Sequence, residues 1–177
     1  MKQTVMSSKI GTYVVLAIGT LLAAIGFCMF HFWAKPVLTN ARNSSNWPTV
    51  LGSITKSELD ADTDSDGTTY SADIEYEYAV NGDAYLGEIV WFGDGYSSSA
   101  RHSHQDIVDR YPVGAQVNVY YKPDDPFIAV LEPGAVASSY AGFILSCVLM
   151  VIGLGMLIVP TVNSVFGKDK NLGPSQI

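Results

Sequence analysis

The sequence is short of cysteine, of basic residues and of every familiar catalytic signature, and each shortage narrows what the protein can be. Only two cysteines occur in 177 residues, Cys28 and Cys147, and both fall in apolar stretches. Any domain between them has no disulfide and must hold itself together by an apolar core. Lysine and arginine number 10 against 17 aspartates and glutamates, a net charge of -7. That balance argues against nucleic acid and anionic lipid headgroups as ligands, because both call for basic surfaces. There is no G-x-S-x-G, no Walker A loop and no H-E-x-x-H. The expectation is a protein without enzymatic activity.

Charge is absent altogether from two long runs, Ile10–Ala34 and Pro133–Gly167. Between them six Lys/Arg face sixteen Asp/Glu, a net charge of -10 for the middle of the chain. The first run, Ile10–Trp33, has 24 residues. As a helix it reaches about 36 Å, enough to cross a hydrocarbon core of about 30 Å. The second, covering 139–166, is as long. Neither shows a polar face, and Tyr13, Phe32, Trp33 and Tyr140 stand where interfacial aromatic belts are expected. The first run exceeds the core of about 7–15 residues of a signal peptide, and Phe32 spoils the small-residue site before Ala34, so a retained anchor is expected. Lys2 and Lys9 precede the first span, and Lys168 and Lys170 follow the second. Both short tails, 1–9 and 167–177, are therefore expected in the cytoplasm, and the acidic middle outside it.

Residues 34–46 read as a polar connector. Trp47–Leu59 reads as a first strand and 60–67 (DADTDSDG) as an acidic loop. Over Thr68–Val80, Ile74, Tyr76, Tyr78 and Val80 alternate with Glu75, Glu77 and Ala79, the period of a half-buried strand. Asn81-Gly82 suits a type I′ turn. A third strand follows over Ala84–Phe92. Ser97–Tyr111 reads as a helix burying Ile107, Val108 and Tyr111, with Ser97–Ser99 as N-cap candidates, and Pro112 and Gly114 stop it. Gln116–Tyr121 and Phe127–Leu131 complete the set. The fold class is thus membrane α plus a small all-β domain over 47–134, in the order β-β-β-α-β-β. That order matches an oligonucleotide/oligosaccharide-binding type of barrel, an analogy of topology and not of function.

Several strings resemble one family when taken in order. They are Trp47-Pro-Thr-Val-Leu-Gly52-Ser-Ile54, Tyr76-Glu-Tyr78-Ala-Val80-Asn-Gly82-Asp-Ala-Tyr85, Tyr111-Pro112-Val-Gly114, and Val117-Asn-Val119-Tyr-Tyr121-Lys-Pro123 followed by Pro126 and Leu131-Glu132. Over about 47–134 the chain resembles the bacterial family known as domain of unknown function 3592. The resemblance implies a membrane-associated, bacterial protein without an established activity, and the expected location is the cytoplasmic membrane. It carries over no catalytic residue.

The sharpest local motif is Asp62-Thr-Asp64-Ser-Asp66-Gly67, a D-x-D-x-D-G start, with Asp73 at the twelfth position of a calcium loop. Alternating aspartates supply the hard oxygens that Ca2+ prefers, so Asp62, Asp64, Asp66 and Asp73 are the metal candidates. Flanking strands instead of helices, and Asp in place of Glu at the last position, favour a plain solvated loop. His102 and His104, with Asp106 and Asp109, make a poorer zinc set, since i and i+2 face apart on a helix. In the spans, Gly19, Ala23 and Gly26 and then Gly142, Ser146 and Gly153 permit close helix approach, within the chain or in a homodimer. Cys28 and Cys147 fall at similar depth in antiparallel spans, as two buried thiols or as an inter-helix disulfide. The leading functional expectation is a membrane-tethered module that binds a protein or envelope component, immunity- or inhibitor-like in one variant. A calcium-responsive envelope sensor and a metal-assisted hydrolase are the alternatives.

Overall fold

The structure is a computed structural model that describes residues 2–166, with side-chain environments over 11–160. Lys168, Lys170 and the tail 167–177 lie outside the described residues, as do the side chains of Lys2 and Lys9. The chain divides into two compact units, one made of both ends (Met1–Lys35 and Gly142–Ile177) and one of Pro36–Ala141.

The first unit holds α1 (Lys2–Met29), a π-helical turn (Phe30–Ala34) and α4 (Ala141–Phe166, whose first residue falls in the other unit). Two helical stretches, Gly11–Ser44 and Ala137–Pro160, are long and apolar enough to cross a membrane. Many of their large side chains point outward: Val14, Ile18, Leu21 and Phe27 on one, Ile144, Val151, Leu154 and Val159 on the other, all exposed. The π turn has a local cause. Pro36 has no N–H to donate to Phe32, and the preceding Lys35 N–H reaches back five residues to Phe30. Small residues let the two helices touch. A Cβ on Gly153 would sit 2.5 Å from the Ala23 nitrogen and 2.7 Å from the Gly19 carbonyl oxygen, and one on Gly26 would meet Met150 and the Ser146 carbonyl at 2.9 Å. Residue numbers rise on one helix as they fall on the other, so the pair is antiparallel. Both small-residue faces are thus covered by the neighbouring helix of the same chain. Cys28 and Cys147 are free thiols.

The second unit is built on a five-stranded antiparallel sheet: β1 (Thr49–Asp64), β2 (Gly67–Val80), β3 (Asp83–Gly87), β4 (Gln116–Lys122) and β5 (Asp125–Val130), in the order β3-β2-β1-β4-β5. Helix α2 (Lys35–Ser44) precedes it, and α3 (Arg101–Arg110) lies between β3 and β4. The Asn81-Gly82 turn has positive φ at both residues, 54° and 96°, as a type I′ turn requires. One sheet face buries Ile54, Ile74, Tyr76, Tyr78, Val80 and Val119 under Ile107 of α3. The other buries Val130 against Ala41 of α2 and Phe92, with Trp47 and Tyr120 around them.

Five expectations are corrected. The sheet is not closed into a barrel. Its edge strands β3 and β5 meet through side chains, with the Tyr85 and Phe127 rings 5.0 Å apart, but no ladder joins them, and Pro126 has no N–H to offer one. The connector 34–46 is largely helical, because Leu38 and Ala41 lie on one face and are buried. The third strand stops at Gly87 instead of Phe92, and α3 starts at Arg101 instead of Ser97. The intervening 88–100 runs as a loop, held by Asp94, whose carboxylate accepts the Val90 N–H at 2.5 Å and the Trp91 N–H at 3.2 Å. Finally, 60–67 is not a loop: the ladder runs on to Asp64↔Gly67, leaving only Ser65 and Asp66 as the turn.

Candidate functional site

That last correction creates the most distinctive feature of the second unit. β4 pairs with β1 only over Thr49–Ser53, and β3 with β2 only over Tyr76–Val80. Beyond those limits no other named strand joins them, and β1 and β2 continue as a two-stranded arm. A bulge between Ile54 and Lys56 marks its root. Strand alternation then puts Lys56, Glu58, Asp60, Asp62 and Asp64 on one face, with Glu75 opposite Lys56 and Asp73 opposite Glu58. Leu59, Ala61 and Thr63 take the other face. Glu58, Asp60, Asp62 and Asp64 are all exposed.

Lys56 is the arm's one cation. It forms an ion pair with Asp73 and a second with Glu75 at 3.5 Å. The Asp73 hydrogen bond, opposed by partial desolvation, holds the Lys56 ammonium above its ordinary pKa. Further out, Asp60 and Asp62 have no salt bridge among the described residues. At the tip the Asp66 N–H donates to Asp64 Oδ1 at 2.8 Å, and the Thr63 and Thr68 hydroxyls bond at 3.0 Å.

The structure does not bring the four calcium candidates together. Asp73 stands four ladder positions from Asp62, about 13 Å along the arm at about 3.3 Å per residue, and is already bonded to Lys56. Among the described residues no group of three or more His, Cys, Asp or Glu is arranged to hold a metal ion. The histidines also part: His102 is exposed, whereas His104 is 2% exposed.

His104 is the residue whose role the sequence reading missed. Its Nε2 lies 2.9 Å from Ser98 Oγ, and its ring sits 5.3 Å from Tyr96. Ser98 in turn exchanges two backbone bonds with Tyr70 of β2, at 2.8 and 3.0 Å. The chain α3–His104–Ser98–Tyr70 therefore straps the β2 side of the arm to the body at the level of Ala61. A signal for it existed: His104, Ile107, Val108 and Tyr111 follow i, i+3, i+4, i+7, one helical face.

The tyrosine hairpin is architecture. Tyr76, Tyr78, Tyr85 and Phe127 form a row of rings 5.0–5.9 Å apart, the Tyr76 hydroxyl donates to the Ile89 carbonyl at 2.9 Å, and the Tyr78 hydroxyl to that of Pro126 at 2.5 Å. Burial pushes the Tyr76 phenol far up and that of Tyr78 up to about 12, with neighbouring Tyr78 and Tyr85 respectively adding to the effect. Tyr111, half-buried and bonded to Glu132 at 2.8 Å, is also pushed up to about 12, by burial first and by that carboxylate second. Burial also raises Asp94, against the backbone N–H groups that it accepts.

A pair of antiparallel apolar helices long enough to cross a membrane, joined to a small open antiparallel sheet, defines the class of protein. Within that class the family model described as Domain of unknown function (DUF3592) matches residues 50–136. The match begins one residue into β1, runs through the other four strands and α3, and agrees with the resemblance over 47–134. No curated protein and no solved structure matches the chain.

Proposed function

We propose that the chain is a membrane-anchored, non-enzymatic interaction module whose docking surface is the acidic β1–β2 arm. The observation that carries this reading is the arm itself. Two strands run past every neighbouring strand with exposed carboxylates at Glu58, Asp60, Asp62 and Asp64 along one face. Strands in globular proteins are mostly about 3–10 residues long; β1 has 16 and β2 has 14. Past Leu59 and Ala72 the ribbon adds no buried apolar residue to the core, whereas it gives a partner reach and a charge pattern. The partner of that chemistry is a basic protein, in keeping with an inhibitor- or immunity-like role. The anchor is the antiparallel helix pair, set in a bacterial cytoplasmic membrane with both tails inside and the sheet outside, as Lys2, Lys9, Lys168 and Lys170 favour. Tethering raises the local concentration of the arm, so modest affinity suffices.

The test is photo-crosslinking from position Thr63 in intact membranes, with the native chain and with Asp60→Asn/Asp62→Asn/Asp64→Asn. A basic protein captured by the native chain, and lost both in the variant and at high salt, supports the proposal. The same capture by both chains would refute it.

A further inference from the structure

The direction of the backbone groups along the arm carries a more specific inference, which rests on the arm being the docking surface. In an antiparallel ladder, directly opposed residues either both turn their N–H and C=O toward each other or both turn them away. Tyr70 exchanges bonds with Ser98, on the side of β2 away from β1. Its partner across the ladder is Ala61. Ala61 therefore turns its own N–H and C=O away from β2, and by alternation so do Leu59 and Thr63. The body of the sheet is consistent with this. Ile54, one residue before the bulge, turns away from β2 to bond Ala115 and Gly114. Past that point β4 is gone, and among the described residues no strand pairs with this edge of β1.

An unpaired edge is a template for another strand. Its side chains decide which strand. Asp60 and Asp62 flank the free groups of Ala61 on one face, with Glu58 and Asp64 beyond them, while the other face offers the small or apolar Leu59, Ala61 and Thr63. A second copy of the arm would set aspartate beside aspartate, which opposes self-pairing. A strand with Lys or Arg at alternate positions would place each cation beside a carboxylate on the acidic face, and small or apolar residues between them would lie against Leu59, Ala61 and Thr63. We infer that the free edge of β1 over Leu59–Thr63 is a β-augmentation site for an extended segment of a protein partner, with basic residues at every second position.

The experiment is residue-resolved hydrogen exchange on the full chain in nanodiscs of zwitterionic lipid, with three synthetic peptides. One alternates lysine and valine. A second has the same composition with its lysines in one block. A third is the alternating peptide N-methylated at every second residue, on the edge meant to face β1. The alternating peptide is expected to slow exchange at the Leu59, Ala61 and Thr63 amides about tenfold, leaving Asp60 and Asp62, which already bond β2, unchanged. The blocked and N-methylated peptides are expected to give no such pattern. Asp60→Asn/Asp62→Asn is expected to remove the protection while the fold stays intact. If all three peptides bind alike without alternating protection, the arm attracts charge only; strand addition is then overturned, while the docking role of the arm stands. If none binds, both fail.

Discussion

Replacing Gly87 by alanine tests whether the tyrosine row holds the sheet in shape. Gly87 lies opposite Tyr76 in the β2–β3 ladder. A Cβ there would fall 2.3 Å from Tyr76 Cε2, 2.4 Å from Cζ and 2.7 Å from the hydroxyl. The ring cannot simply swing aside. Tyr76 is 0% exposed, its hydroxyl holds the Ile89 carbonyl at 2.9 Å, and its ring rests on Tyr78, itself tied across to β5 through Pro126. Overpacking of this kind costs about 1–3 kcal/mol, and a buried hydrogen bond broken by a shifted ring adds about 1–2 kcal/mol. A loss of about 3 kcal/mol is expected, which for a domain of this size lowers the unfolding midpoint by about 15 °C. Near-ultraviolet circular dichroism of the full chain during heating reads it, since the signal comes from the same rings. Gly95→Ala is the control: nothing lies within 4 Å of its added Cβ, so a change under about 0.5 kcal/mol is expected. In a Tyr76→Ala background the cost of Gly87→Ala should nearly vanish. If Gly87→Ala matches Gly95→Ala, or if its cost persists without the Tyr76 ring, the reasoning is refuted.

Two further outcomes follow from the geometry. Tyr78 and Tyr111 are held up at about 12 against an ordinary 10.0, so the folded state favours their neutral phenols; that contribution is complete below pH 10 and is lost as pH rises through about 12. Tyr78→Phe and Tyr111→Phe should each flatten the alkaline fall in the denaturation midpoint, and an unchanged slope in both would contradict the assigned burial. In the helix pair, Gly153→Ala sets a Cβ against backbone atoms of Ala23 and Gly19 and should cost about 2 kcal/mol in detergent melting, whereas a Cβ at Gly155 meets nothing within 4 Å and Gly155→Ala should be neutral; equal effects would mean that the helices do not touch there.

Much of the fold was legible because its signals are local. The two apolar runs state their own length and solvent. The alternation over Ile74–Val80 marks a strand, and Asn81-Gly82 marks its turn. The misread segments share a different property. DADTDSDG has turn-like composition, and its aspartates do match the start of a calcium loop. Only pairing with β2 keeps it extended, and a ladder between two segments is not written in either one. The helical state of 35–44 likewise depends on Ala41 finding a core supplied by Phe92 and Val130, far along the chain. His104 reads as a solvent-facing helix residue until Ser98 is brought beside it.

By itself, then, the sequence determined the two membrane-length helices, the order of the strands and the acidity of the middle, since each depends on hydropathy, period and charge along a single segment. The tertiary structure decided that the sheet stays open, that the small residues of the two helices serve each other, and that the aspartates line one face of a projecting strand pair. Those outcomes depend on register and on which backbone groups find partners, and both arise only when distant segments meet.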